Sequence, residues 1–229
     1  MPYPPSHRTE TRKRIVDSAR RLFNLRGFDN VSIAQIMAGA KLTHGGFYSY
    51  FKCKSDLYAE VLNCFFTDPE WKNNWDGVSV DMASNEVGAQ VVNAYLSRQH
   101  FESIENSCPM IALPTDVARS SIVARKAFEK VFDAMVSLLE RSTTNDRQNR
   151  RNTAHAIAAL SIGGMVVSRA LVNRLHADEL RESCLRAALQ LGGWAMPSNV
   201  RDVPGKRRPK NLHARPAVRA ASKTRAITA

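Results

Sequence analysis

The sequence predicts an all-α chain in three parts: a head of three helices, a larger helical body, and a basic tail without regular structure. Three observations lead there. Apolar residues recur at spacings of three and four along most of the 229 residues, and no stretch of note alternates with the period of two that a strand requires. Hydrophobic residues make up 44% and charged residues 24%, the balance of a folded globular chain. The formal charge of +12 sits at the ends: +5 over residues 1–60, −1 over 61–197 and +8 over 198–229.

Residues 1–7 hold three prolines and are expected to form a disordered arm. The head follows over 8–68. An amphipathic helix over about 10–26 gathers Ile15, Val16, Ala19, Leu22 and Phe23, and Gly27 is its stop. Ser32 is a good N-cap for a second helix, about 33–39, and Gln35 completes a capping box. A turn over 39–42 leads to Thr43, the expected cap of a third short helix, about 44–50. Two short helices joined this tightly, over about 31–50, read as a helix-turn-helix. They bury little alone and need the long first helix as a platform, with Phe23, Ile36 and Phe47 as the expected meeting points. A longer helix opens at Ser55 and Asp56 and ends near Asp68-Pro69.

The body spans 69–197. Trp71, Trp75 and Gly77 suggest a short helix and a loop. Helices then follow over 84–105, 109–119, 123–140, 152–175 and 178–195, the last two joined near His176. The small-residue run from Ala154 to Gly164, with Leu171, Leu180, Leu185 and Leu189, is a candidate homodimer face, a four-helix bundle of two helices from each subunit. Packing within the chain is the other use of such a run. The tail, 198–229, is rich in Pro, Arg, Lys and Ala and is expected to be disordered.

Basic ends point to a polyanion. Neither basic region coincides with the apolar helix face that a membrane surface needs. No run approaches the roughly 18 apolar residues of a membrane span, and the opening MPYPPSHR has no apolar core of a leader peptide. Double-stranded DNA is therefore the expected partner. The second helix of such a motif places its N-terminal residues on base edges in the major groove, and here these are Thr43 and His44. Gly45 and Gly46 follow, each costing roughly 1 kcal/mol in a helix relative to Ala. That cost fits a surface where backbone approaches the duplex. Tyr48, Lys52 and Lys54 are expected phosphate contacts, Lys54 at the start of the next helix. Ser32 and Lys41 complete the expected DNA-facing set.

Cys53, Cys64, Cys108 and Cys184 lack zinc-ligand spacing and read as reduced thiols of a cytosolic chain. No Gly-rich phosphate loop, paired carboxylates or Ser-His-Asp set stands out. No enzymatic activity, metal or cofactor is expected.

The stretch from about Arg8 to Phe66 resembles the TetR/AcrR family of bacterial regulators. The resemblance is carried by a first helix ending F-N-L-R-G-F, by S-I-A-Q-I-M-A-G-A, and above all by T-H-G-G-F-Y-S-Y-F-K-C-K-S-D-L, close to the family pattern T-x-G-x-F-Y-x-x-F-x-x-K-x-x-L. In the body, S-C-P-M-I-A-L-P-T-D-V-A-R looks like a G-C-P-x-x-A-L motif of one group of these regulators, where it belongs to the effector domain. The resemblance implies a homodimer, here through about 152–195, that binds a palindromic operator and usually represses. It also implies a C-terminal domain that takes up a small effector and releases DNA, in the bacterial cytoplasm and on the nucleoid when bound.

By position, the resemblance implies that Thr43 caps the recognition helix and touches DNA. His44 and Gly45 face bases, Tyr48 and Lys54 contact phosphates, and Phe47, Tyr50, Phe51 and Leu57 mostly pack. Trp71, Trp75, Phe101, Met110 and Met135 are candidates for the effector pocket, although apolar residues at helical spacing are more often plain core. Many relatives carry Gly where this chain has Lys41. A positive φ there would cost Lys roughly 1 kcal/mol, and its ammonium would add a phosphate contact. The competing expectation is an effector-independent architectural protein that uses the tail for non-specific DNA affinity.

Overall fold

The computed structural model describes residues 5–67, 80–144 and 149–195, and all regular structure among them is helical. Trp71, Trp75, the tail and the first four residues of the expected arm lie outside the described residues.

The head consists of α1 (Pro5–Arg26), α2 (Ile33–Gly39), a 3-10 helix (His44–Ser49) and α3 (Lys54–Thr67). α1 begins at Pro5, not near residue 10, so residues 5–7 are helix rather than arm. Proline suits a first helical position, because its missing N–H would have been unpaired there and its φ is already helical. The expected stop is in place: Gly27 adopts φ +77° and its N–H donates to the Phe23 carbonyl at 2.8 Å. The capping box of α2 is complete. The Gln35 N–H donates to Ser32 Oγ at 3.2 Å, and the Ser32 N–H donates to Gln35 Oε1 at 2.8 Å.

Phe23, Ile36 and Phe47 meet fully buried, as their spacing predicts, together with Ile15, Met37, Leu57, Tyr58 and Leu62. Burial of each such side chain is worth about 1.5–3 kcal/mol. Leu113, Val117, Ala124 and Ala127 of the body join the same cluster, so the head does not end its core at residue 68.

The body contains α4 (Val87–Tyr95), α5 (Arg98–Glu102), α6 (Pro109–Ala112), α7 (Pro114–Arg119), α8 (Ile122–Ser142), α9 (Arg150–Ala170) and α10 (Arg174–Gly192). The single helix expected over 84–105 is two. Ser97 is extended and its hydroxyl accepts the His100 N–H at 3.1 Å, which starts α5. Arg181 donates to the Leu96 carbonyl at 2.6 Å and so closes the end of α4. The expected helix over 109–119 divides at Leu113-Pro114, where proline opens α7. The last connection lies before His176, because Asn173 caps α10 by accepting the His176 N–H at 3.1 Å.

α9 and α10 approach closely at Gly164, where an added Cβ would lie 2.7 Å from Cys184 Sγ. Gly163 faces away, with nothing within 4 Å of such an atom. The small-residue run thus serves packing inside the chain on one side. Leu185 and Leu189, expected on a dimer face, are buried within the chain. The large apolar residues left exposed on α9, α10 and the link between them are Val166, Val167, Val172, Leu175 and Leu191. Phe101, Met110 and Met135 are all buried, on α5, α6 and α8. Phe101 lies beneath the guanidinium groups of Arg174 and Arg181, at 5.3 and 5.8 Å.

Candidate nucleic-acid interface

The candidate surface is built from the turn that follows α2. Lys41 is the only described non-glycine residue with positive φ, at +58°. Its N–H donates to the Ala38 carbonyl at 2.9 Å and the Leu42 N–H donates to Met37 at 2.8 Å. The second bond is the six-to-one closure of a left-handed helix stop, a position that favours glycine. Arg14 of α1 donates to the Ala40 carbonyl and covers the end of α2.

Thr43 then turns the chain outward in an extended conformation. It occupies the N-cap position, but its hydroxyl makes no capping bond, contrary to the capping role expected of it, and it stays exposed. The helix that follows is 3-10, not α. Two successive glycines weaken it, and Phe47 is its one buried anchor. Thr43, His44, Gly45, Tyr48 and Ser49 are exposed.

The two glycines differ. Nothing lies within 4 Å of a Cβ built on Gly45, whereas one on Gly46 would rest 3.6 Å from Met37 Cε. The protein's own packing therefore does not require glycine at 45. Gly46 faces inward and is half-buried. Tyr48 is 62% exposed and stands edge-on to Phe47 and His44, at 5.3 and 6.4 Å between ring centroids.

The far end of this helix is clamped from α1 by residues that sequence reasoning missed. Arg8 donates to the Ser49 carbonyl at 3.0 Å. Arg12 donates to the Tyr50 carbonyl at 2.5 Å, pairs with Glu60 and lies 4.1 Å over the Phe51 ring. No local pattern announces such clamps; they exist only once α1 lies across the motif.

The lysines also part company. Lys52 and Lys41 are exposed. Lys54 Nζ donates to the carbonyls of Phe28 and Val31 at 2.8 and 2.9 Å and lies 4.2 Å over the Phe28 ring. Burial lowers its pKa from the ordinary lysine value, opposed by the charge of Asp29. Its ammonium holds the α1–α2 loop. Ser32 is exposed, its hydroxyl engaged in the cap. From residue 30 to residue 55 the chain has no Asp or Glu, so no carboxylate of this segment opposes a polyanion. Among the described residues no helix is long and apolar enough to cross a membrane, and no group of three His, Cys, Asp or Glu side chains could hold a metal ion.

This arrangement matches known proteins. Residues 15–61 match the family model described as bacterial regulatory proteins, tetR family. The HTH-type transcriptional regulator AcrR of Shigella flexneri is 44% identical over 52 residues, which are 23% of this chain and 24% of that protein. The HTH-type transcriptional regulator QacR of Staphylococcus aureus is 22% identical over 159 residues, 67% of this chain and 82% of that protein. The match to AcrR thus spans only about a quarter of that relative. In fold the likeness runs further. The crystal structure of the reduced form of NemR from E. coli superposes with a TM-score of 0.62 at 18% identity, covering 82% of this chain and 99% of that one. In its head, the chain is similar to the bacterial regulatory proteins of the tetR family.

Proposed function

We propose that the chain is a sequence-specific, DNA-binding transcriptional regulator. It acts as a homodimeric repressor, released from a palindromic operator by a small-molecule effector. The observation that carries this reading is the face formed by Thr43, His44, Gly45 and Tyr48: exposed, free of carboxylates, and held rigid from behind by Phe47 and the arginines of α1. Thr43 and His44 read base edges, Gly45 lets the backbone approach, and Tyr48, Lys41 and Lys52 contact phosphates. The relatives are named as transcriptional regulators, one of them as the repressor DhaR of a Mycobacterium species. The effector role is supported by a solved structure of similar fold, a multidrug binding protein in complex with imidazole, with a TM-score of 0.54.

Dimerisation has its own support. The outward side of α9 presents Ala156, Ala159, Gly163, Val166, Val167 and Ala170 at spacings of three and four, all apolar and unburied in the single chain. Small residues there let a second copy approach closely, and Val172, Leu175 and Leu191 extend the surface to α10. Two recognition helices held about 34–36 Å apart read successive major grooves.

A gel shift with DNA from upstream of the chain's own gene tests the reading. A folded dimer forming no specific complex at moderate salt would sink it. Thermal stabilisation by apolar small molecules tests the effector half.

A further inference from the structure

We propose that Asp116 is the residue through which the segment 105–116 positions the helix-turn-helix. The proposal rests on the reading of the head as a DNA-binding unit governed by the body. Four hydrogen bonds tie the head to this one segment. The Asn24 side-chain amide donates to the carbonyls of Glu105 and Ser107 at 3.0 and 2.9 Å. The Tyr58 hydroxyl donates to the Leu113 carbonyl at 3.4 Å. The Phe28 N–H donates to Asp116 Oδ2 at 2.8 Å.

Asp116 is seated for this task. Arg119 holds its other oxygen, Oδ1, at 3.2 Å. Its Oδ2 lies where a Cβ on residue 27 would come within 3.1 Å, so Gly27 both turns the chain and admits the carboxylate. From Phe28 the path to α2 is short and stiff. The Phe28 ring is packed by Phe23 and Tyr58 and covered by the Lys54 ammonium, which also binds the carbonyls of Phe28 and Val31. Ser32, the N-cap of α2, is the next residue. A loop held at so many points moves as one piece and takes the start of α2 with it.

The other end of the segment is tied to the body's interior. The Cys108 N–H donates to His100 Nε2 at 3.3 Å, and His100 Nδ1 donates to the Tyr95 carbonyl at 2.7 Å. Arg169 of α9 donates to the carbonyls of His100 and Phe101. Ser107, Cys108, Met110, Ile111 and Leu113 are all buried. The S-C-P-M-I-A-L-P-T-D stretch thus stands between α9 and α2, with a proline break at Pro114. Contact becomes coupling only when perturbing one end changes the other.

Hydrogen exchange on the full chain reads that change. Met110→Ala perturbs the body end and is expected to speed exchange of the segment 28–37 by about tenfold. In an Asp116→Ala background the same substitution is expected to add no more than about threefold, the non-additivity of two coupled sites. Asp116→Asn, which keeps an oxygen for the Phe28 N–H, is expected to exchange like the natural chain. Unchanged exchange on Met110→Ala, or an equal increment in both backgrounds, overturns the proposal. If Met110→Ala does not fold, the volume-conserving Met110→Leu takes its place under the same criterion.

A duplex selected from random-sequence DNA by the natural chain provides the second arm. Asp116→Ala is expected to weaken its binding about fivefold, a coupling of ordinary size, with Asp116→Asn within twofold. Equal affinities for the natural chain and Asp116→Ala overturn the proposal. If the natural chain selects no duplex, the DNA-binding reading fails, and the exchange arm decides the positioning role alone.

Discussion

The two connections inside the head are built in opposite ways. The loop between α1 and α2 turns on a glycine, Gly27, and its polar groups are taken up by the protein: the Phe28 N–H by Asp116, the Phe28 and Val31 carbonyls by Lys54. The turn between α2 and the 3-10 helix is held by backbone bonds and by Arg14 on the Ala40 carbonyl, and it turns on a lysine at φ +58°. Ala40 is buried and Leu42 packs partly buried against the core, but the Lys41 side chain stays outside, as do those of Thr43, His44 and Tyr48 beyond it. One connection is closed by the fold; the other leaves Lys41 exposed beside Thr43, His44 and Tyr48. Side chains engaged internally protect stability, and under the proposed function the exposed ones serve recognition.

The largest expected effect breaks the finished loop. Lys54→Met removes the donor from two carbonyls and the cation from the Phe28 ring. It should lower unfolding stability by about 2 kcal/mol, the scale of hydrogen bonds to a charged group, measured by urea denaturation. Lys52→Met, on an exposed lysine, should leave stability within about 0.5 kcal/mol and weaken DNA binding at low salt. If the two variants lose stability alike, the contrast between the lysines is wrong.

A second effect reaches the loop's support. His100 is buried, and desolvation lowers its pKa to about 3, with the Tyr95 carbonyl opposing and Arg169 assisting. The unfolded chain binds a proton near pH 6.5 that the folded chain refuses, so folding stability falls as pH drops from about 6.5 towards 3. The slope from this group is at most about 1.4 kcal/mol per pH unit. Denaturation curves at pH 7, 6 and 5 should show that slope, and His100→Asn should flatten it. A variant with an unchanged slope would assign the acid sensitivity to other groups.

On the open side, His44→Ala should change base preference by about 1–3 kcal/mol at one position of the half-site. Tyr48→Phe should weaken all sequences alike, by about 1 kcal/mol. Competition binding against a set of single-base variants separates the two. A uniform loss on His44→Ala would remove its base-reading role.

Much of this contrast is legible in the order of residues alone. The capping box at Ser32 and Gln35, the stop at Gly27 and the meeting of Phe23, Ile36 and Phe47 follow from local rules. What stays hidden depends on partners distant in sequence. Lys54 reads as a cation at a helix start until α3 is laid beside the loop at residues 28–31. Arg8 and Arg12 carry no local signal of a role until α1 crosses the 3-10 helix. The break of 84–105 is signalled only by Ser97, a weak cap without a reciprocal partner, and the capping of Leu96 by Arg181 comes from far along the chain.

Lys41 joins the two halves of the comparison, because its backbone serves the fold while its side chain faces outward. Lys41→Gly relieves a left-handed residue of a strain of about 1 kcal/mol, offset in part by the greater freedom of glycine in the unfolded chain. The net expectation is a gain of roughly 0.5 kcal/mol in unfolding stability, read from the denaturation midpoint at constant slope. The same variant lacks the ammonium, so its DNA affinity should fall and the salt dependence of log K should flatten by about one counterion. Opposite signs in one variant are the signature of a strained residue kept for binding. If stability rises and affinity with its salt slope is unchanged, Lys41 makes no phosphate contact, and the turn tolerates its lysine for no reason that recognition explains.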